Sequence, residues 1–341
     1  MNESEFVLIV GCPRSGTYLL QTRLTEQSDL SMPVETHFIP LFARFLPLWG
    51  PLTDSNNRQT LLMAIYSFLK IWTQRSERGR DYDKVFTESL LITQESQAEI
   101  IANSHDYASL VRELFRTFSA LKENLRFGDK SAFYANQPLN KLSTFTQPTK
   151  VVHIIRDPRD VALSWMKIFT GPHTLIECAK QWNHHVSENR AWGKRHPDHY
   201  FEIKYEEYLS DPETIKHQIS QFLGLKTVIE SNSDLSSILA KGNMHSLIAG
   251  PILGSNSIWK SRLTQAELAI FERVCGQNLD ALEYERCSGK AINSIVFSLL
   301  ALTSRFLHLV SPRTLKRGVK TLLPIIIWVN QKTGVFSRVI P

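Results

Sequence analysis

The sequence predicts an α/β fold: a P-loop-like parallel sheet flanked by helices, with a mainly helical substrate-side insertion and a helical C-terminal tail. Three observations lead there. Residues 6–10 (Phe-Val-Leu-Ile-Val) form a continuous apolar run ending at Gly11, the pattern of a strand buried on both faces. Gly11-Cys-Pro-Arg-Ser-Gly-Thr17 follows as a tight turn, and residues 18–27 read as a helix with Leu19, Leu20 and Leu24 inward. Strand, glycine turn and helix together open an α/β nucleotide-binding fold. Residues 151–155 (Val-Val-His-Ile-Ile) repeat the buried-strand pattern, and Arg156-Asp-Pro-Arg-Asp160 turns into a helix through Ala162, Leu163 and Trp165.

The remaining elements follow from local signals. Residues 200–205 read as a third strand. Asp211-Pro212 is a helix start, with Asp as N-cap and Pro in the first turn, and Gly224 closes that helix. Thr264-x-x-Glu267 is a capping box opening a helix whose inner face carries Leu268, Phe271, Val274 and Cys275. Residues 38–125 are mostly helical, clearest over 109–121 with Leu110, Leu114, Phe118 and Leu121 on one stripe, and residues 54–57 form a polar turn. The expected division is a domain over 1–289, containing the insertion at about 38–125, and a basic tail over 290–341.

The 341 residues carry a net charge of +6 and a pI of about 9.1, with 43% hydrophobic and 21% charged residues, which excludes a disordered chain. The charge is unevenly placed. Eight of the 39 basic residues lie in 290–341, which has no Asp or Glu, leaving 31 basic against 33 acidic groups in residues 1–289. A nucleic-acid-binding body is therefore not expected. The four cysteines have no paired spacing and read as buried reduced thiols. A polar start (Met1 to Glu5) and a short first apolar run argue against a signal peptide, and no run reaches the length of a membrane span. A cytoplasmic location, with peripheral attachment to membrane as an addition, is the expectation.

Gly11-x-x-x-x-Gly16 has the glycine spacing of a phosphate loop, yet Thr17-Tyr18 follow where a Walker loop needs Lys and a small hydroxyl residue for Mg²⁺. What remains is a nest of backbone N–H groups at a helix N-terminus, with Arg14 adding charge: a site for a dianion without a metal. A lone glycine pair fits a plain strand–helix turn equally well. The specific string Pro13-Arg14-Ser15-Gly16-Thr17, together with a second motif, favours the phosphate reading.

Gly-Cys-Pro-Arg-Ser-Gly-Thr after a first strand resembles the 5′-phosphosulfate loop of the sulfotransferases, which use 3′-phosphoadenosine 5′-phosphosulfate (PAPS) and release 3′-phosphoadenosine 5′-phosphate (PAP). Arg156 followed eight residues later by Ser164 resembles their 3′-phosphate grip. Arg supplies a bidentate fork there and Ser a single donor. Taken alone, the two residues also fit a surface ion pair and a helix serine. Other matches are similar to the branch containing tyrosylprotein sulfotransferases and bacterial relatives. There a Glu lies 21 residues after the loop arginine and acts as general base, and Glu35 stands at that distance from Arg14. Phe127-Gly-Asp-Lys130 resembles the segment carrying a lysine near the transferring group. Lys204-Tyr205-Glu206-Glu207-Tyr208-Leu209 resembles a landmark strand and turn, and Ser257-Ile-Trp259-Lys260 a segment closing over the cofactor. The branch has an arginine two residues beyond the base; His37 stands there, which weighs against a peptide-tyrosine acceptor.

The resemblance implies in-line transfer of a sulfuryl group to an acceptor hydroxyl. Its expected catalytic residues are Arg14, Glu35, His37 and Lys130. Its expected cofactor contacts are Arg14, Ser15, Gly16, Thr17, Tyr18 (through the backbone), Arg156, Ser164, Tyr205, Ser257 and Lys260. Cations and N–H groups aimed at developing charge lower the barrier, and the acceptor O–H needs a base. Glu35 is the leading base and His37 the second; in an extended segment both side chains face one way. His153 reads as a core histidine, His184 and His185 as helix-surface residues. No metal and no nucleic acid are expected; the acceptor is a small-molecule, lipid or glycan hydroxyl. The rivals are a P-loop kinase-like phosphotransferase and a non-catalytic, membrane-associated nucleotide-binding module.

In the tail, residues 291–310 are amphipathic on a helical wheel. Asn293, Ser294, Ser298, Ser304, Arg305 and His308 share one arc, most apolar residues lie opposite, and Phe297 and Thr303 are exceptions. Packing of the apolar side on the body or a second subunit, and attachment to an anionic membrane, are both open on the sequence.

Overall fold

The computed structural model describes residues 5–26, 28–33, 35–76, 94–120, 126–131, 139–168, 171–226, 257–287, 293–310 and 312–333. The apolar run at the start is β1 (Phe6–Val10), joined by β2 (Leu30–Ser31), β3 (Arg126–Asp129), β4 (Thr149–Ile155) and β5 (Tyr200–Lys204). All neighbouring strands pair in parallel, in the order β2-β3-β1-β4-β5, with Leu8 opposite Val151 and Val7 opposite Gly128. The three expected strands are present. β3 and β2 were not expected: β3 is four residues with Arg and Asp at its ends, and β2 has two, so neither shows an apolar run. At Gly128 a Cβ would lie 2.1 Å from the Val7 carbonyl oxygen, so only glycine lets β3 approach β1.

Helices link the strands. They are α1 (Thr17–Glu26), α2 (Phe38–Ala43), α3 (Ser55–Ser76), α4 (Gln94–Asn103), α5 (Tyr107–Ala120), α6 (Leu139–Ser143) and α7 (Pro158–Trp165). There follow α8 (Leu175–Arg195), α9 (Tyr205–Ser210), α10 (Pro212–Leu223), α11 (Trp259–Arg262), α12 (Gln265–Ala281), α13 (Ser294–Val310) and α14 (Pro312–Thr333). The caps act as read. Asp211 accepts from Thr214 N–H at 3.2 Å, Gly224 takes the left-handed conformation (φ 63°) that ends α10, and Thr264 and Glu267 close a capping box. The polar stretch 54–57 is instead the start of α3, because Asp54 accepts from Asn56 N–H at 2.8 Å and so caps the helix.

Alternation along β1 divides the core. Phe6, Leu8 and Val10 face a cluster with Phe38, Phe42, Phe68 and Phe115 from the inserted helices, while Val7 and Ile9 face Leu20, Leu24, Val152 and Ile154. The aromatic residues of the insertion thus serve packing. A third cluster joins Cys12, Trp165, Cys178, Trp182 and Cys275, and all four cysteines are free. His153 is fully buried, its Nδ1 2.5 Å from the Tyr200 hydroxyl, as expected of a core histidine. His184 is exposed, but His185 is buried beside Asn189 and the His153 ring, because it lies on the inner stripe of α8 with Trp182.

The tail behaves in two ways. α14 packs on the body: Leu323 and Ile327 are buried, and Gln331 accepts from Trp49 Nε1 at 3.4 Å and donates to the Thr60 carbonyl at 2.9 Å. α13 touches the body with the polar arc of the wheel and with Phe297, the apolar exception on that arc. Ser304 is buried with its hydroxyl 2.6 Å from Thr174, and Phe297 lies beneath the Arg273 guanidinium at 4.5 Å. Among the described residues no helix is long and apolar enough to cross a membrane.

Phe115 is the best single probe of this packing. It is fully buried, edge-on to Phe6 at 4.9 Å and stacked on Phe38 at 5.9 Å. Phe115→Ala is expected to cost about 3–5 kcal/mol, seen as a lower urea midpoint at unchanged slope. A loss under about 1 kcal/mol would remove this ring from the core that joins insertion and sheet.

Candidate active site

β1 ends in a loop whose backbone is bent by two left-handed residues, Arg14 (φ 76°) and Gly16 (φ 94°), with Ser15 N–H donating to the Cys12 carbonyl at 3.0 Å. The N-terminus of α1 opens into it. Gly16 has no room for a side chain: a Cβ would lie 2.5 Å from the Tyr205 ring. Tyr205, the first residue of α9, therefore forms one wall of the loop, and the Arg156 guanidinium stacks on its ring at 4.5 Å.

The two expected phosphate motifs meet. Arg14 Nε donates to Ser164 Oγ at 2.9 Å, and Arg156 Nη1 donates to the Arg14 carbonyl at 3.3 Å. Burial first, and the neighbouring Arg156 second, draw the Arg14 guanidinium below its ordinary value. Ser15 is fully buried and its hydroxyl has no hydrogen-bond partner among the described residues; buried Arg156 Nε has none either. Two clustered cations and two idle buried donors beside a helix N-terminus fit an anion with several oxygens. Thr17 is buried under the loop, where it crowds Gly11.

A second cluster lies at the end of β3. Lys130 is only 1% exposed, and its Nζ donates to Glu35 Oε1 at 2.6 Å. The Tyr18 ring lies 5.0 Å from the same ammonium, so the residue that departs from a Walker loop helps hold a lysine from another strand. Glu35 Oε2 faces His37 Nε2 at 3.4 Å. Glu35 and His37 do converge, but not as alternate residues of an extended segment. His37 is left-handed (φ 59°) at the start of α2, and it is 4% exposed where the Glu35 side chain is 34% exposed. The turn is held by Thr36 Oγ1 donating to Asp129 Oδ2 at 2.5 Å and His37 N–H donating to Ser131 Oγ at 3.0 Å.

Burial alone would raise the Glu35 carboxyl, but the Lys130 charge and hydrogen bonds from His37 and Lys130 hold it well below the ordinary carboxylate range. The Glu35 charge also acts on Arg14, so the two clusters form one electrostatic unit.

The third expected segment is anchored on α7 at Asp160, whose carboxylate also feels the Arg156 charge. Ser257 (φ 62°) and Trp259 donate their N–H groups to the two carboxylate oxygens of Asp160, at 2.9 and 3.1 Å. Trp259 is buried under the Arg159 guanidinium at 3.6 Å. Lys260 Nζ donates to Glu285 Oε2 at 2.6 Å on the surface. Residues 227–256, which lead into this segment, lie outside the described residues. Sequence reasoning missed Asp160 as the anchor of this segment and Thr36–Asp129 as the latch behind Glu35; a carboxylate in the first turn of a helix was the one available signal for Asp160.

The Lys130–Glu35 pair makes a pH prediction. A carboxyl lowered from its ordinary 4.5 in the folded chain adds stability that is complete above that value and is lost as pH falls through the lowered one. In Lys130→Met, Glu35 should titrate closer to its unfolded value. The fall in urea midpoint between pH 5 and pH 2.5, both roughly bracketing this window, should be shallower than in the native sequence. An identical acid limb would show that Lys130 does not control Glu35.

A family profile described as "Sulfotransferase family" matches residues 7–229, which contain the loop, Glu35, Lys130, Arg156, Ser164 and Tyr205. A stretch of 115 residues is 32% identical to a 3-beta-hydroxysteroid sulfotransferase from Cavia porcellus, covering 28% of this chain and 39% of that protein. The sulfotransferase domain from the Synechococcus PCC 7002 olefin synthase has the same fold, with a TM-score of 0.53 at 20% identity over 83% of this chain and 96% of that one. The profile spans most of the chain and every residue of the two clusters of cations, and on that ground the chain belongs to the sulfotransferase family.

Proposed function

We propose that the chain is a PAPS-dependent sulfotransferase that moves the sulfuryl group to an acceptor hydroxyl and releases PAP, with Glu35 as the base. The observation that carries this reading is the contact between Arg14, Arg156 and Ser164, set beside the Glu35–Lys130 pair. A site with two anion grips and one carboxylate within reach of both suits a doubly phosphorylated donor and a proton-losing acceptor.

PAPS would supply the activated sulfuryl group and a phosphate leaving group. Ser15, the amides of residues 16–18 and Arg14 would hold its 5′ end, and Arg156 with Ser164 its 3′-phosphate, which separates it from a nucleoside triphosphate. Glu35 is ionised at neutral pH and has its Oε2 turned from Lys130 toward His37. That oxygen, not held by Lys130, would take the acceptor proton. His37 is nearly closed off from solvent, which favours it as an orienting partner of Glu35 rather than as the base. Lys130 supplies positive charge that is already dehydrated, and so acts at close to full strength on negative charge developing nearby.

The kinase-like rival needs a lysine and a small hydroxyl in the loop; Thr17 and Tyr18 stand there, and the Tyr18 ring holds Lys130. A non-catalytic module has no use for a buried ammonium gripping a half-exposed carboxylate. Phe42, Phe68 and Phe115 of the insertion belong to the core and say nothing about the acceptor. The acceptor class therefore stays at a small-molecule, lipid or glycan hydroxyl.

The test is PAP release from PAPS with a panel of phenols, sterols and sugars. Transfer to at least one class is expected. Glu35→Ala should lower turnover about 10²- to 10⁴-fold, with PAP affinity within about threefold of the native value. Turnover unchanged in Glu35→Ala would dismiss Glu35 as base, and no transfer to any class would dismiss the activity.

A further inference from the structure

We propose that the outward face of α13 docks on an anionic lipid surface, lying along it without crossing it. This face is apolar and uncovered: Ile295 is 72% exposed, Leu299 58% and Leu302 59%, with Val296 and Leu300 beside them. Spacings of three and four residues place these side chains on one side of the helix. The side toward the body is already occupied, by Phe297 beneath Arg273 and by Ser304 on Thr174. Among the described residues nothing covers the apolar stripe.

Charge selects the occupant. At the foot of α13 the exposed side chains of Lys180 and Arg273 approach Phe297 at 6.0 and 4.5 Å, next to the apolar stripe. The 52-residue stretch from 290 onward adds eight basic residues and no acidic one. Apolar side chains flanked by cations match an interfacial helix on anionic headgroups. A second copy meeting this face about a two-fold axis would set the same basic surface against itself, which electrostatics opposes. Among the described residues no helix can span a bilayer, so attachment is along the surface. α14 is held to the body at Leu323, Ile327 and Gln331, so bound α13 would carry the domain with it.

The test is co-sedimentation of the full chain with vesicles of equimolar phosphatidylcholine and phosphatidylglycerol, and with phosphatidylcholine alone, alongside its oligomeric state by light scattering. The native chain should pellet with the mixed vesicles only, and less so as salt rises. The triple variant Ile295→Gln, Leu299→Gln, Leu302→Gln should lose about tenfold in partitioning while its melting temperature is kept, since all three side chains are exposed. Lys180→Glu, which leaves the helix sequence intact, should weaken binding to mixed vesicles as well. Failure of the native chain to pellet, equal pelleting of the triple variant, or a dimer that the triple variant converts to monomer without vesicle binding would each overturn the proposal.

Discussion

Arg14 and Arg156 repel each other, and keeping two guanidinium groups in one electrostatic neighbourhood costs free energy that an anion between them offsets. The fold holds them there regardless. Arg14 is fixed by Ser164, Arg156 by the Arg14 carbonyl and the Tyr205 ring, and Gly16 lets that ring close against the loop. Lys130 adds a third cation, this one buried and paired with Glu35 at 2.6 Å. Positive charge concentrated in this way is organised before any ligand arrives, so binding and charge stabilisation need little rearrangement.

The sheet explains how such distant residues meet. Lys130 follows β3, the loop follows β1, Arg156 follows β4 and Tyr205 follows β5, four neighbouring strands running in parallel. Their carboxyl ends share one edge, which is where ligands bind in open α/β sheets. Glu35 reaches the same edge from the turn between β2 and α2, latched by Thr36 to Asp129 of β3. Position on the sheet, more than separation in sequence, determines which groups act together.

Much of this was legible in the amino-acid order, for reasons that differ by element. β1 and β4 are readable because strands buried on both faces are apolar throughout, and the loop because a strand–turn–helix needs glycine at fixed points. β3 was hidden: Arg-Phe-Gly-Asp satisfies its neighbours through a missing side chain at Gly128 and a buried Asp129, not through apolar content. Glu35 could be placed by its distance from Arg14, but its grip by Lys130 joins residues 95 apart and has no local signal. His37 escaped an extended reading because it turns left-handed to start α2. For α13 the wheel located an apolar side correctly but not the side that meets the body. That depends on Thr174, Lys180 and Arg273 in other helices, which accept a hydroxyl and a lone aromatic ring.

The central claim is that the Arg14–Arg156 pair is built for a nucleotide carrying both a 5′- and a 3′-phosphate. Calorimetric titration of the full chain with PAP and with adenosine 5′-monophosphate, in the native sequence and in Arg156→Ala, tests it most directly. PAP is predicted to bind the native chain at least about tenfold more tightly, a difference of about 1.4 kcal/mol, and Arg156→Ala to remove most of that preference. Equal affinity of the native chain for the two nucleotides, or a preference that survives the loss of Arg156, would contradict it.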